Sequence, residues 1–185
     1  LRNSIYRGPF NVLLHELARD PALRQLLGTK APRKRMVDEE LLLRFFALRA
    51  NLDIYRTPLK RFLNNYMLET RDADTKKLRV LRALHVETVQ KASSIFGAGA
   101  FRVTDSQGVP VEKTVNRALF DAQMLASSWV AGDVARPASV RVKREVGKLF
   151  GDETFLDSIQ RATGDRARTL KRLRETCNAL LNAGL

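Results

Sequence analysis

Apolar residues recur along this chain with the three- and four-residue spacing of amphipathic α-helices. The clearest case is the segment 38–55, where Leu41, Phe45, Leu48 and Leu52 are spaced four, three and four residues apart. Further apolar side chains widen this stripe until the middle of the helix is apolar nearly all round, which is typical of a buried helix. We therefore expect 38–55 to be the central helix of the fold, with these four side chains almost inaccessible to solvent.

Residues that cap or interrupt helices delimit the other elements. Asp or Ser precedes several of the apolar-periodic segments, and Gly or Pro follows or opens others, as expected at helix ends. The predicted helices are 1–7, 10–19, 20–28, 38–55, one opened by Pro58, 75–96, 114–131, 139–150, 152–162 and 165–182. The segment 101–111 reads as a loop or a small hairpin. Because no longer period recurs, the sequence predicts an all-α, non-repeating bundle of about eight to ten helices.

The predicted domain organisation has two parts. We expect residues 1–131 to form a main helical domain around the central helix, and 132–185 to add basic helices packed on it. The stretch 132–137 reads as the linker between them, and a chain of 185 residues suits one domain. The first residue is Leu1 rather than Met, and 1–7 already reads as helical, so we expect a fragment of a longer protein.

Composition narrows the class of protein. Hydrophobic residues make up 44% of the chain and charged residues 29%, which fits a globular protein. The apolar runs are far shorter than the roughly 20 residues of a membrane span, and no secretory signal opens the chain. Cys177 is the single cysteine and has no partner for an internal disulfide, which fits a reducing compartment. The sequence therefore predicts a soluble, cytoplasmic protein that does not contact a membrane.

The charge of the chain is strongly positive. Lys and Arg number 33 against 20 Asp and Glu, which gives a net charge of +13 and an isoelectric point near 10.6. Such a balance suits a polyanion, because cations that neutralise phosphates release condensed counterions. Arginine also matches the geometry of phosphate oxygens. The alternative is that the arginine content follows genome composition and the charge serves solubility.

Basic residues are concentrated in four clusters. These are 30–35, 76–82, 136–148 and 161–174. A single cluster is more often a solvated surface than a binding site, whereas four together favour an anionic partner. In the first cluster, a predicted loop carries Arg33, Lys34 and Arg35, which we take as candidate DNA contacts.

The last predicted helix supplies the other candidate contacts. Its inward stripe is predicted to consist of Ala167, Leu170, Leu173, Cys177 and Leu180. Glu175 follows Lys171 by four residues and can pair with it. This pairing would leave three arginines to contact phosphates without reading sequence. They are Arg166, Arg168 and Arg172.

Groups suited to catalysis or metal binding are few. The two histidines and the one cysteine are not grouped, and the H-E-x-x-H, G-x-S-x-G and phosphate-loop motifs are absent. His85 and Cys177 lie on apolar stripes and are predicted to be buried, and Trp129 reads as a core anchor. The triplet Asp38-Glu39-Glu40 could hold a divalent cation, but favourable charge at a helix N-terminus explains it equally. We therefore assign no catalytic residue, no cofactor and no metal site.

Several blocks of the sequence resemble a known family. The blocks are LRNSIYRGPF at 1–10, RMVDEELLLRFFAL at 35–48, FLNNYM at 62–67, IFG and AFR within 95–102, and NRALF at 116–120. In this order they resemble the helical part of the GmrSD-type family, ParB/sulfiredoxin-like proteins of bacterial restriction and phage-defence systems. The blocks are spread over roughly two thirds of the chain.

This resemblance implies a function without a catalytic centre in this chain. In the family, a preceding domain carries a D-G-Q-Q-R motif linked to nucleotide hydrolysis and nuclease activity, and some members add an H-N-H domain. Neither motif occurs here. The resemblance therefore implies a DNA-contacting or scaffolding part of a modification-dependent restriction protein, with the missing N-terminal domain as its partner. The alternatives are a helical interaction module for an acidic protein partner and, third, a small enzyme.

Overall fold

The computed structural model of the protein describes residues 7–132 and 140–185. Within these residues the chain forms nine α-helices and two short 3-10 helices, with no strand. The helices are α1 (Pro9–Leu17), α2 (Pro21–Leu27), α3 (Val37–Asn51), α4 (Leu59–Thr70), α5 (Thr75–Phe96), α6 (Arg117–Trp129), α7 (Val140–Leu149), α8 (Glu153–Gln160) and α9 (Arg166–Ala183). The predicted all-α, non-repeating bundle is thus confirmed. The predicted helix at 1–7 and most of the predicted linker lie outside the described residues.

Local capping explains where the helices begin and end. The side chain of Asp20 accepts a hydrogen bond from the backbone N–H of Ala22 at the start of α2, and Gly28 ends α2 at a φ of 68°. Asn116 caps α6 in the same way through the N–H groups of Ala118 and Leu119. These bonds satisfy donors that a helix leaves without intrahelical partners.

The chain divides into two compact units, one up to Glu87 and the other from Thr88 onward. The boundary falls inside the long helix α5. The division at 131/132 that the sequence favoured stays a prediction.

In the first unit, α3 is the central element and packs against α1 and α4. Every side chain from 41 to 48 is buried, as predicted for a helix that is apolar nearly all round. The ring of Phe10 on α1 makes edge contacts with Phe46 at 6.0 Å and with Tyr66 at 5.8 Å, measured between ring centroids. Leu52 is only half-buried, because α3 ends at Asn51 and Leu52 is its C-cap.

In the second unit, α9 packs against α6, α7 and α8. Helix α6 is buried without interruption from 118 to 127. The segment 101–111 forms a tight turn closed by one antiparallel bridge between Thr104 and Pro110, as the sequence allowed. The Asp105 carboxylate holds this turn by accepting the backbone N–H groups of Gln107 and Val109, each at 2.9 Å. None of the helices in the described ranges is long and apolar enough to cross a membrane.

Candidate nucleic-acid interface

The buried side of α9 matches the predicted apolar stripe only at Leu173 and Leu180. The side chains that face inward are Thr169, Arg172, Leu173, Thr176, Ala179 and Leu180. Ala167 is exposed instead, and Leu170 and Cys177 are only partly buried. The two threonines can be buried because their hydroxyls donate to carbonyls one turn earlier, at 2.7 Å and 2.8 Å.

Arg172, a predicted phosphate contact, lies in the interior of the second unit with 1% of its surface exposed. Its guanidinium donates to the carbonyl oxygens of Ser158 at 3.3 Å and Thr163 at 2.8 Å. It also lies 3.6 Å from the carboxylate of Asp121, which is itself buried. The prediction that Arg172 is available to an external phosphate is therefore wrong.

The other two predicted arginines of α9 are engaged as well. Arg168 is half-buried and forms an ion pair with Asp157, whose carbonyl oxygen it also contacts at 3.0 Å. Arg166 is half-buried and has an interaction of its own. The predicted pair between Lys171 and Glu175 is replaced by one in which Arg174 approaches Glu175 at 3.7 Å. Helix α9 therefore does not present three unengaged arginines.

The basic loop before α3 is held by a buried carboxylate. The side chain of Asp38 is fully buried and accepts hydrogen bonds from Arg24 at 2.7 Å and from the Nε of Arg33 at 2.7 Å. The backbone N–H of Arg33 donates to the same carboxylate at 2.8 Å. Arg33 thus fixes the loop, while Lys34 and Arg35 are exposed and have no ion pair within the described ranges.

These contacts also account for the acidic triplet at the start of α3. Burial alone would raise the pKa of Asp38, but the hydrogen bonds from Arg33 and Arg24 outweigh it and hold this pKa below its ordinary value. Glu39 accepts from His15 Nδ1 at 3.0 Å. Asp38 and Glu39 therefore act as partners of basic side chains in the first unit.

Helix α7 carries the most concentrated set of exposed cations in the second unit. Its inner side consists of Val142, Glu145 and Val146. The exposed cations are Arg141, Lys143, Arg144 and Lys148. Arg141, Arg144 and Lys148 lie within about 60° of arc on a helix of 3.6 residues per turn. Three cations of the third sequence cluster thus lie on one side of the helix, while Lys143 lies about 100° from Arg144, next to Gly108. Arg136 of the same cluster lies outside the described residues.

Glu145 is the acidic residue of this helix and lies beneath the cations. It accepts from Lys148 at 2.9 Å and from Arg144 at 3.2 Å. The hydrogen bond from Lys148, followed by that from Arg144, lowers the pKa of Glu145 despite its partial burial. Arg141 and Lys143 have no ion pair within the described part of the chain, so this helix keeps an excess of positive charge.

The turn at 105–108 packs closely beside α7. A Cβ atom at Gly147 would lie 3.0 Å from the Cα of Ser106 and 3.1 Å from the carbonyl oxygen of Asp105. A Cβ atom at Gly108 would meet the side chain of Lys143 at 3.0 Å. The turn, with Ser106 and Gln107 exposed at its tip, is therefore continuous with the cationic surface of α7.

The sequence predicts that His85, Cys177 and Trp129 are buried. His85 is buried, as predicted, with its Nε2 at 2.9 Å from Asp20, and burial lowers its pKa. Cys177 is partly buried, and burial raises its pKa. Trp129 is 41% exposed, so the prediction of a core anchor is wrong for it.

The surface formed by α7 and the turn has the chemistry to bind a polyanion, since it combines exposed cations with exposed polar groups. The sequence indicates these cations only as a cluster and favours the arginines of α9, because the tertiary contacts that engage those arginines have no local sequence signal. Comparison of the chain with models of protein families, with curated proteins and with solved structures finds no match.

Proposed function

We propose that this chain is a non-catalytic, DNA-contacting part of a modification-dependent restriction or phage-defence protein. The observation that carries the proposal is the cationic surface of α7, where Arg141, Arg144 and Lys148 lie together and Lys143 adjoins a polar turn. Such a surface binds the phosphate backbone and orients a protein on a duplex without reading its sequence. Any catalysis belongs to another domain, as the resemblance to the GmrSD-type family implies.

The distribution of charge supports this assignment. Arg141 and Lys143 remain available to an external anion, whereas Arg168 and Arg172 are taken up by Asp157, Asp121 and backbone carbonyls. Lys34 and Arg35 are further exposed candidates in the first unit. Each phosphate contact that is made adds about 0.9 to the slope of log K against log salt on a duplex.

The test is the salt dependence of DNA binding. Fluorescence anisotropy would follow the 185-residue chain on two duplexes of unrelated sequence at several salt concentrations. Replacing Arg141, Lys143 and Arg144 by Ala should lower the slope of log K against log salt by up to about 2.7. It should weaken binding to both duplexes to the same extent. This variant keeps Lys148 as the partner of Glu145.

The matched control removes three cations from the exposed start of α5. The variant with Lys76, Lys77 and Arg79 replaced by Ala has the same net charge but an intact α7. This control variant should bind both duplexes more tightly than the α7 variant does. Equal slopes for the two variants would show that binding follows net charge alone, and the proposed interface would be withdrawn.

An acidic protein partner is the second candidate function. It is favoured by exposed apolar side chains beside the cations, namely Val140 on α7 and Val109 and Val111 on the turn. A surface of mixed cations and valines suits an acidic segment with apolar residues. A chain that binds no duplex at low salt but binds such a peptide through Arg141, Lys143 and Arg144 would favour this candidate.

A further inference from the structure

The first unit contains a cleft that the proposed DNA contact does not use. It lies between the C-terminal end of α3, the segment that follows, and α4, and its volume is about 350 Å³. Ligand sites for small molecules commonly start near 300 Å³ and are lined by apolar groups with a few placed polar ones. The cleft is therefore large enough for a small ligand.

Two arginines line this cleft. The Nη1 of Arg56 donates to the backbone carbonyl of Tyr55 at 3.0 Å, which fixes the position of the guanidinium while other N–H groups remain available. Arg61 is exposed at the start of α4. Neither arginine has an ion pair within the described ranges. Two such guanidinium groups suit the oxygens of a phosphate.

The lining along α4 changes in charge from one end to the other. Arg61, Asn65 and Glu69 follow one another at intervals of four residues, so they share one side of the helix and span about 12 Å. The order is a cation, an amide and a carboxylate. A ligand that matches it has an anionic group at one end and hydrogen-bond donors at the other.

The lining of the cleft also includes two amides and an apolar side chain. Asn51, the last residue of α3, and Asn65 can each donate and accept hydrogen bonds, as the edge of a nucleobase requires. Ile54 is 61% exposed and supplies an apolar surface for the face of a ring. An acidic peptide would meet repulsion from Glu69, and an inorganic phosphate would use only the arginines.

We propose that this cleft binds a nucleoside monophosphate. Arg56 and Arg61 hold its phosphate, Asn51 and Asn65 contact the base, and Glu69 accepts hydrogen bonds from the ribose hydroxyls or an exocyclic amino group. The residues of this site all belong to the first unit, and the proposal does not depend on the DNA contact proposed for the second unit.

The test is isothermal titration of the full chain with AMP, GMP, CMP and UMP, alongside inorganic phosphate and adenosine. At least one nucleotide should bind about tenfold more tightly than phosphate and than adenosine, because only the nucleotide engages both ends of the cleft. If phosphate binds as tightly as every nucleotide, or if no nucleotide binds, the proposal is overturned.

Variants locate the binding. Arg61→Ala should lower the affinity for the nucleotide about tenfold, since it removes a charged hydrogen-bond donor. Arg79→Ala removes the same charge from an exposed position on α5 that does not line the cleft, and it should leave the affinity unchanged. Glu69→Gln should lower the affinity for the nucleotide but not the affinity for inorganic phosphate. Equal affinities in Arg61→Ala and Arg79→Ala would refute the site, whatever the outcome for DNA.

Discussion

The guanidinium of Arg172 lies 3.6 Å from the carboxylate of Asp121, and both side chains are almost completely buried in the second unit. The arginine extends from α9 and the aspartate from α6, so the pair joins two helices that pack together. The guanidinium also donates hydrogen bonds to the carbonyl oxygens of Ser158 and Thr163. The pair is a structural element of the helical core.

Removal of Arg172 should therefore reduce stability strongly. Arg172→Ala removes the guanidinium that lies against the buried carboxylate of Asp121, and breaking a buried pair in this way costs about 3–5 kcal/mol. Urea denaturation followed by circular dichroism measures the free energy of unfolding. Arg174→Ala is the control, because Arg174 is exposed on the same helix and its loss should change stability by about 0.5 kcal/mol or less. Equal stability of the two variants would contradict the structural role.

The helix positions could be predicted from the sequence, whereas this buried pair could not. Helix positions were predictable because their signals are local: Asp20 and Asp165 each cap the helix that begins beside them. The burial of Arg172 depends on Asp121, which is distant in sequence. An arginine without a partner is rarely buried. The sequence alone therefore predicts that Arg172 is exposed.

The cationic surfaces were predictable as clusters but not as individual contacts. The lysines and arginines of α7 stand out in the sequence, yet nothing there distinguishes them from the arginines of α9. The difference arises from tertiary contacts, such as the ion pair of Arg168 with Asp157. The cleft beside α4 has no sequence signal, because its lining comes from two helices and the segment between them.

Truncation of the central helix should create a costly cavity. Phe45→Ala removes a fully buried ring from α3, and such changes cost about 3–5 kcal/mol. The thermal midpoint should fall markedly. Leu68→Ala, at an exposed position on α4, serves as the control and should leave the midpoint nearly unchanged. An unchanged midpoint for Phe45→Ala would show that α3 does not have the central role described.

The carboxylate of Asp38 should make stability depend on pH in the acid range. Its pKa in the folded protein is lowered by Arg33 and Arg24 from an ordinary value of 3.8. A lowered pKa adds stability that is fully present above the ordinary value and is lost as the pH falls through the folded value. The unfolding free energies of the parent and of Asp38→Asn should therefore differ most near neutral pH.

Denaturant titrations between pH 7 and pH 3 would measure this difference. The difference in unfolding free energy between the parent and Asp38→Asn should be constant above about pH 5. It should narrow below about pH 4, as the parent loses its charged carboxylate. Asp72→Asn is a suitable control, because Asp72 is exposed and pairs with its neighbour Arg71. A gap that stays constant down to pH 3 would argue against the proposed ionic role.

Two glycines on either side of the end of α7 provide a test of how the turn packs. At Gly147 an added Cβ would lie 3.0 Å from Ser106 and 3.1 Å from Asp105, both backbone atoms, so the turn must move to admit it. At Gly151 the nearest contact is an ordinary 3.4 Å. Gly147→Ala should therefore cost about 1–3 kcal/mol by overpacking, even though alanine favours helix more than glycine does. Gly151→Ala should change stability by about 0.5 kcal/mol or less. Urea denaturation of the two variants compares them directly, and a Gly147→Ala protein as stable as the parent would show that the turn does not press against α7.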